Sequence, residues 1–222
     1  MKVIAINGSP RRQGNTAALL RRAMKGAAGL GADTELIHLY SLRYTGCLSC
    51  FYCKRRDKVH GVCALHDDLT PVLKKVREAD AILLGSPIYI LNLTSGMQAF
   101  LERLFYSQMI YRPGMPSVFG RTMPSAFVYT MNLKAEQLRY AHLQESLTPY
   151  EKAAANTFGC HPKRLYACNT LQFDDYSRYD ASMFSETEKK QYHLRQFPQD
   201  LQQAEELGRD LVLQVKERKE WE

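Results

Sequence analysis

The sequence predicts an α/β fold built on a doubly wound, five-stranded parallel sheet. Short apolar runs of strand length alternate along the chain with longer segments in which apolar residues recur every three or four positions. That alternation is typical of strand–helix–strand units arranged around a parallel sheet. No internal repeat or linker-like segment divides the 222 residues, so we expect one domain over 1–222, in which 173–222 form a C-terminal extension and the last helix.

The predicted strands and helices alternate from the start of the chain. Five apolar runs are assigned to strands, at residues 3–7, 35–39, 81–85, 126–130 and 165–168. Helices are predicted at 15–28, 68–77 and 135–158, and after the third strand, where one face holds Met97, Phe100, Leu101, Leu104 and Phe105. Residues 111–124 carry three prolines and two glycines and are predicted as a loop, whereas Pro198 suits the first turn of a last helix. In a sheet of this class, ligands bind at the carboxyl ends of the strands, near the point where strand order reverses.

Composition and charge narrow the class of protein. The chain is 45% hydrophobic and 24% charged, and it has no apolar run long enough to span a bilayer. The apolar residues 3–6 are closed by Asn7-Gly8, which favours a buried strand over a signal peptide and predicts a cytoplasmic protein. Its six cysteines are then expected to be reduced thiols, metal ligands or redox-active groups rather than structural disulfides. The net charge of +7 comes from dispersed basic residues without a base-reading module. We therefore expect neither a nucleic-acid partner nor membrane association.

The turn between the first strand and the first helix has the composition of an anion site. Residues 7–16 read Asn-Gly-Ser-Pro-Arg-Arg-Gln-Gly-Asn-Thr. A turn at this place directs free backbone N–H groups and the positive end of a helix dipole at one point. The candidate phosphate-binding residues are Ser9, Arg11, Gly14, Asn15 and Thr16. The GxGxxG spacing and the Lys-Ser/Thr of a nucleoside-triphosphate loop are both missing, and a polar turn with a helix cap at Asn15 is the simpler alternative.

Two further loops are expected at the same edge of the sheet. Residues 85–96 follow the third strand and offer an apolar wall of the kind that a planar ring needs. The loop after the fourth strand is placed to close the other side of such a ring. The candidate ring-binding residues are Pro87, Ile88, Tyr89 and Ile90 in the first of these loops and Thr130, Met131 and Asn132 in the second.

Together, residues 7–16, 85–96 and the helix 97–104 resemble the NADPH-dependent FMN reductase superfamily, and within it the flavodoxin-like iron–sulfur flavoprotein branch. The resemblance covers about residues 1–170. It implies that the FMN phosphate binds in the first loop and that the loop with Pro87, Ile88, Tyr89 and Ile90 carries the isoalloxazine ring. It also implies hydride transfer from NAD(P)H and electron release to a small acceptor. Because the cofactor supplies this chemistry, no side chain is expected to be catalytic.

Four cysteines follow the second predicted strand, in the pattern Cys47-x2-Cys50-x2-Cys53-x9-Cys63. The first three have a ferredoxin-like spacing that turns three thiolates toward one centre, and a fourth completes a [4Fe-4S] set. Cluster-bearing members of the branch have cysteines in the same region, but the nine residues after Cys53 exceed their compact spacing. Three interpretations stay open: an iron–sulfur cluster, a zinc ion held by thiolates with or without His60 or His66, and free thiols.

The leading functional prediction is an FMN-dependent NAD(P)H oxidoreductase that acts on a small acceptor such as a quinone or a flavin. The alternative is an iron–sulfur flavoprotein that carries electrons between protein partners such as ferredoxin. A zinc-dependent nucleic-acid module on residues 54–56 requires the phosphate loop to be a coincidence and ranks last. The resemblance also implies a homodimer or homotetramer, with 111–124 and 173–197 as candidate contact segments.

Overall fold

The computed structural model describes residues 1–221 and confirms the doubly wound parallel sheet. Its strands are β1 Lys2–Asn7, β2 Asp33–His38, β3 Ala81–Tyr89, β4 Asn92–Leu93, β5 Ser125–Thr130 and β6 Lys163–Ala167. The five long strands are parallel and lie in the order β2–β1–β3–β5–β6, and β4 pairs antiparallel with the end of β3. Strand order reverses between β1 and β3, so the loops after these strands meet at one edge of the sheet.

Helices cover both faces of the sheet. Their bounds are α1 Asn15–Ala28, α2 Leu69–Glu78, α3 Ser95–Gln108, α4 Gln137–Tyr140, α5 Leu143–Phe158 and α6 Glu186–Trp221. Successive side chains of a strand point to opposite faces, and β1 shows the consequence. Val3 and Ala5 join the core that contains α1 and α6, whereas Ile4 and Ile6 join the core that contains α2, α3 and α5.

Helices α1 and α6 approach each other closely at two glycines. A β-carbon on Gly26 would lie 2.0 Å from the carbonyl oxygen of Glu205. One on Gly208 would lie 1.8 Å from the carbonyl oxygen of Ala23. Any side chain at either glycine would therefore push the two helices apart. This contact matters for the site because α6 carries one wall of the cavity described below.

The structure corrects three predicted boundaries. Pro198 lies inside α6 rather than in its first turn, because Phe197 and Leu201 beside it pack against the core that contains α1, and this packing compensates for the hydrogen bond that proline removes. The helix predicted over 135–158 is divided into α4 and α5 at His142, whose φ of 50° is left-handed. Strand β3 continues four residues beyond the predicted end, since β4 folds back and pairs with it.

The predicted loop over 111–124 contains no helix, and an isolated bridge joins Met109 to Ser117 at its start. Within residues 1–221, none of the helices combines the length and the apolarity that a bilayer-spanning segment needs.

Candidate functional site

A cavity of about 680 Å³ opens at the carboxyl edge of the sheet, between the loops that follow β1, β3, β5 and β6. This volume is within the range of about 300–1,000 Å³ that is typical of small-molecule sites. Eleven of the twelve predicted cofactor-binding residues line it: Ser9, Arg11, Gly14, Asn15, Thr16, Pro87, Ile88, Tyr89, Thr130, Met131 and Asn132. Ile90 does not line the cavity, since its side chain is fully exposed at the tip of the β3–β4 hairpin.

The turn before α1 leaves backbone donors free for a ligand. Gly14 precedes the helix, no side chain caps it, and its first turn holds no acidic residue. The N–H groups of that first turn therefore have no partner within the helix. The Ser9 N–H donates to Asn7 Oδ1 at 3.1 Å, and the Arg11 N–H donates to Ser9 Oγ at 3.1 Å, which holds the turn in shape. The turn accordingly fits an anionic group better than it fits a capping side chain.

The first two loops are joined beneath the cavity. The Gly8 N–H donates to the Gly85 carbonyl oxygen at 2.8 Å, and the Thr94 hydroxyl donates to the Gly8 carbonyl oxygen at 2.7 Å. A β-carbon on Gly8 would lie 2.9 Å from the Met97 side chain, so only glycine allows this approach. These contacts hold the turn before α1 and the loop after β3 at a fixed distance from each other.

The loop after β3 and the loop after β5 lie side by side along the cavity. Pro87 and Thr130 are partners in the β3–β5 register, and the Thr130 and Thr16 hydroxyls lie 2.7 Å apart. Tyr89 also lines the cavity and is 48% exposed. Pro87, Tyr89 and Thr130 thus belong to one continuous side of the cavity.

A further wall comes from residues after β6, which sequence reasoning missed. Thr170, Leu171, Gln172, Phe173, Asp174, Tyr179 and His193 all line the cavity. The segment is attached to the turn before α1, since Asn15 Nδ2 donates to the Leu171 carbonyl oxygen at 2.8 Å and Arg11 donates to the Gln172 carbonyl oxygen. The rings of Phe173 and Tyr179 stack with centroids 3.9 Å apart. The aromatic and polar composition of 170–179 was the only sequence signal for this wall.

The four cysteines of the loop after β2 line a second, much smaller cavity of about 20 Å³. Cys53 is buried, Cys47 and Cys63 are half-buried, and Cys50 is exposed. Burial raises the pKa of the Cys53 thiol, and the guanidinium of Arg103 donates from Nε to Cys63 Sγ at 3.0 Å. The sequence pattern therefore brings its four thiols to one place in the fold.

These four thiols do not form a ready-made metal site. Across the part of the chain that the structure describes, no three Cys, His, Asp or Glu side chains are placed to hold one ion. The small cavity has room for about one water molecule. The donor set suits an iron–sulfur cluster, but the loop must open to admit one. His60 and His66 lie outside the small cavity, and His60 contacts the Arg55 carbonyl oxygen instead.

The fold defines a flavodoxin-like protein, and its larger cavity lies at the carboxyl edge of the parallel sheet. Residues 1–140 match the family model for NADPH-dependent FMN reductase, and the chain belongs to that family. It is thereby placed in a family of flavin-dependent oxidoreductases, for which FMN is the flavin.

Curated relatives agree with this assignment. An iron–sulfur flavoprotein of Methanocaldococcus jannaschii is 41% identical over 103 residues, which are 46% of this chain and 51% of that protein. An iron–sulfur flavoprotein of Archaeoglobus fulgidus is 34% identical over 121 residues, 54% of this chain and 52% of that protein. The matched region is thus about half the length of these curated relatives, and it confirms the predicted branch.

Two solved structures share the fold at low identity. An NAD(P)H:quinone oxidoreductase from Methanothermobacter marburgensis superposes with a TM-score of 0.69 at 16% identity, over 95% of this chain and 96% of that one. An azoreductase from Bacillus anthracis gives 0.65 at 13% identity, over 95% and 99% of the two chains. These similarities confirm the fold class alone.

Proposed function

We propose that this chain is an FMN-dependent oxidoreductase that takes electrons from NADPH or NADH and passes them to a small acceptor such as a quinone or a free flavin. The observation that carries the proposal is the cavity of about 680 Å³, where an uncapped helix N-terminus, an apolar wall and a polar loop meet. Membership of the FMN reductase family supports the identity of the flavin. The fold relative from M. marburgensis is an NAD(P)H:quinone oxidoreductase, which supports a quinone as acceptor.

We assign the phosphate and the ring of FMN to different parts of the cavity. We assign the phosphate to the turn before α1, where backbone N–H groups and Ser9, Arg11 and Thr16 supply donors. We assign the ring to the side of the cavity that the Pro87 loop and the Thr130 loop form together. When bound, FMN supplies the hydride and electron chemistry, and the side chains bind it, orient it and exclude water.

The test separates phosphate recognition from ring recognition. Arg11→Gln removes a charged donor, and we expect it to weaken FMN binding about tenfold while leaving riboflavin binding unchanged, because riboflavin has no phosphate. Arg12→Gln, at the exposed neighbouring position, is the matched control and should bind both flavins like the wild type. Affinities are measured by flavin fluorescence quenching on the apoprotein.

Turnover is then followed as NADPH or NADH oxidation in the presence of a simple quinone. Flavin-dependent oxidation, absent from the apoprotein, is the expected result. A colourless protein that takes up neither FMN nor riboflavin would contradict the proposal.

A second candidate function is electron transfer between protein partners through an iron–sulfur cluster. Two observations favour it: the four cysteines line one small cavity, and the relatives are iron–sulfur flavoproteins by name. Iron and zinc analysis of protein purified without oxygen tests the metal. About four irons per chain, lost in Cys50→Ser but retained in Cys160→Ser, would support the cluster.

The electron-carrier function also predicts a different kinetic behaviour. Rapid exchange of electrons with a ferredoxin, together with negligible NADPH oxidation, would favour the carrier over the reductase. A homodimer or homotetramer remains a prediction for either function, and sedimentation of the FMN-loaded protein tests it.

A further inference from the structure

Lys189, on α6, is a buried lysine without a carboxylate partner. Lys189 is only 4% exposed to solvent. Its ammonium donates to Asn132 Oδ1 and, at 3.4 Å, to the Thr170 carbonyl oxygen, and it lies 5.3 Å from the centre of the Phe184 ring. Across the described residues no Asp or Glu lies within ion-pair distance of it. The lysine is therefore satisfied by neutral dipoles only.

The next residue along α6 shows how unusual a buried lysine without a carboxylate partner is. Lys190 has a side chain 52% exposed and pairs with Glu186 one helical turn earlier. A buried ammonium ion without a counter-ion is costly, because neutral dipoles do not fully replace hydration. Burial lowers the pKa of Lys189 to about 8, with the positive charge of Lys134 as a smaller cause, so the group is still mainly protonated at pH 7. Its charge needs an anion that the protein itself does not supply.

The position of Lys189 indicates where that anion binds. Its two polar partners, Asn132 and Thr170, both line the cavity of about 680 Å³, whereas Lys189 lies behind them. Because Asn132 Oδ1 accepts from the ammonium, the Nδ2 group is the part of the amide left to donate, and no described residue accepts from it. Lys189 thus holds Asn132 at the cavity wall with its Nδ2 group left to donate, and it places a positive charge behind that wall.

We infer that Lys189 is a positioning residue that, through Asn132, stabilises the bound flavin preferentially in its reduced, more negatively charged form. This inference rests on the proposed FMN function. Flavin gains negative charge when it takes up a hydride, and a nearby fixed charge is one of the means by which a protein tunes its reduction. Oxidised FMN has an uncharged ring and gains less from the same charge.

The test measures affinity in both oxidation states. A unit charge that acts across one side chain at an effective permittivity of about 20 changes an equilibrium constant by at least tenfold. Lys189→Met should therefore lower the ratio of reduced to oxidised FMN affinity about tenfold, which is a midpoint potential about 30 mV more negative for a two-electron couple. The potential is measured by equilibration with redox dyes, and oxidised FMN affinity by fluorescence titration.

Three further variants distinguish charge from packing. Lys190→Met removes an exposed lysine from the same helix and should leave the potential unchanged. Lys189→Arg keeps the charge and should keep the wild-type ratio. Asn132→Leu removes the amide that connects Lys189 to the cavity and should lower the ratio of reduced to oxidised FMN affinity. This variant tests the inference even if Lys189→Met fails to fold.

These measurements distinguish a failure of the proposed function from a failure of the inference about Lys189. A wild-type protein that binds no FMN overturns the proposed function itself. Normal FMN binding with equal losses for both oxidation states in Lys189→Met, or an unchanged potential in Asn132→Leu, overturns only the inference about Lys189 and leaves it as a structural attachment of α6.

Discussion

Arg103 of α3 connects the cysteine loop to the body of the protein, and its removal should have the largest single effect on stability that the structure predicts. Its side chain is fully buried and pairs with Asp67 at 2.8 Å. The guanidinium also donates to Cys63 Sγ and to the Thr45 carbonyl oxygen, each at 3.0 Å, and to the Leu65 carbonyl oxygen at 3.4 Å. One cation thus satisfies acceptors on both ends of the cysteine loop.

The expected cost follows from what Arg103→Met leaves behind. Asp67 would lose its counter-ion, and removal of one partner from a buried ion pair costs about 3–5 kcal/mol. At an m-value of about 2 kcal/mol per molar urea, the unfolding midpoint should fall by about 2 M. Asp67→Leu in the same chain should recover part of the loss, because it removes the unpaired carboxylate.

An exposed pair of equal length provides the control. Arg55 and Asp57 are also 2.8 Å apart, but their side chains are 58% and 56% exposed. Arg55→Met should leave the urea midpoint unchanged within error, since solvent screens such pairs. Both variants are compared with the wild type by urea unfolding followed by circular dichroism. Equal, small shifts for Arg55→Met and Arg103→Met would refute the argument that burial makes the Arg103 pair important.

The effect should also depend on pH. Burial raises the pKa of Asp67 and the hydrogen bonds and charge of Arg103 lower it, with a net result below the ordinary carboxyl value. A carboxyl whose pKa is lowered by folding stabilises the protein above the unfolded pKa of about 3.9 and loses that contribution as pH falls through the folded value. The difference between wild type and Arg103→Met should accordingly be full at pH 7 and shrink below about pH 4.

Three other predictions concern single residues. Ile90 is fully exposed with a φ of 49°, so Ile90→Gly should relieve left-handed strain and raise the free energy of unfolding by about 1 kcal/mol; a lower urea midpoint would contradict this. Gly208→Ala should force α1 and α6 apart and cost about 3 kcal/mol, whereas Gly29→Ala, where a β-carbon meets no atom closer than 3.4 Å, should cost little in the same assay. Burial raises the pKa of Cys168 to about 11, so iodoacetamide at pH 8 should modify exposed Cys50 first, as peptide mapping by mass spectrometry can verify; equal rates would show that Cys168 is accessible.

Features that depend on local patterns were predicted well from the sequence. The five parallel strands follow from short apolar runs, and the turn before α1 follows from Gly8, Gly14 and the polar residues between them. Such features are set by backbone preferences and by alternation within a few residues. The prediction that Pro87 and Thr130 line the same cavity follows from the strand assignment, because the carboxyl ends of neighbouring parallel strands are adjacent.

Features that depend on distant contacts were not predicted. Pro198 is a local signal for a helix start, but packing on both sides of it carries α6 through the proline. The wall at 170–179 is fixed by Asn15, which is 156 residues away from the carbonyl oxygen that it contacts. The spacing of apolar residues along the chain carries no information about a contact between residues so far apart. The exposure of Ile90 was missed for the same reason, since the short pairing of β4 with β3 turns that residue out of the cavity.

The two halves of the cavity therefore have different origins in the sequence. The turn before α1 and the loops after β3 and β5 lie within residues 1–140, the region that matches the family. The aromatic wall and Lys189 lie outside that region, on the segment after β6 and on α6. Under the proposed function, residues of the matched region determine which cofactor binds, whereas residues outside it set the potential of the cofactor and the shape available to the acceptor. Measuring flavin affinity and flavin potential separately is consequently the comparison that assigns a role to each half.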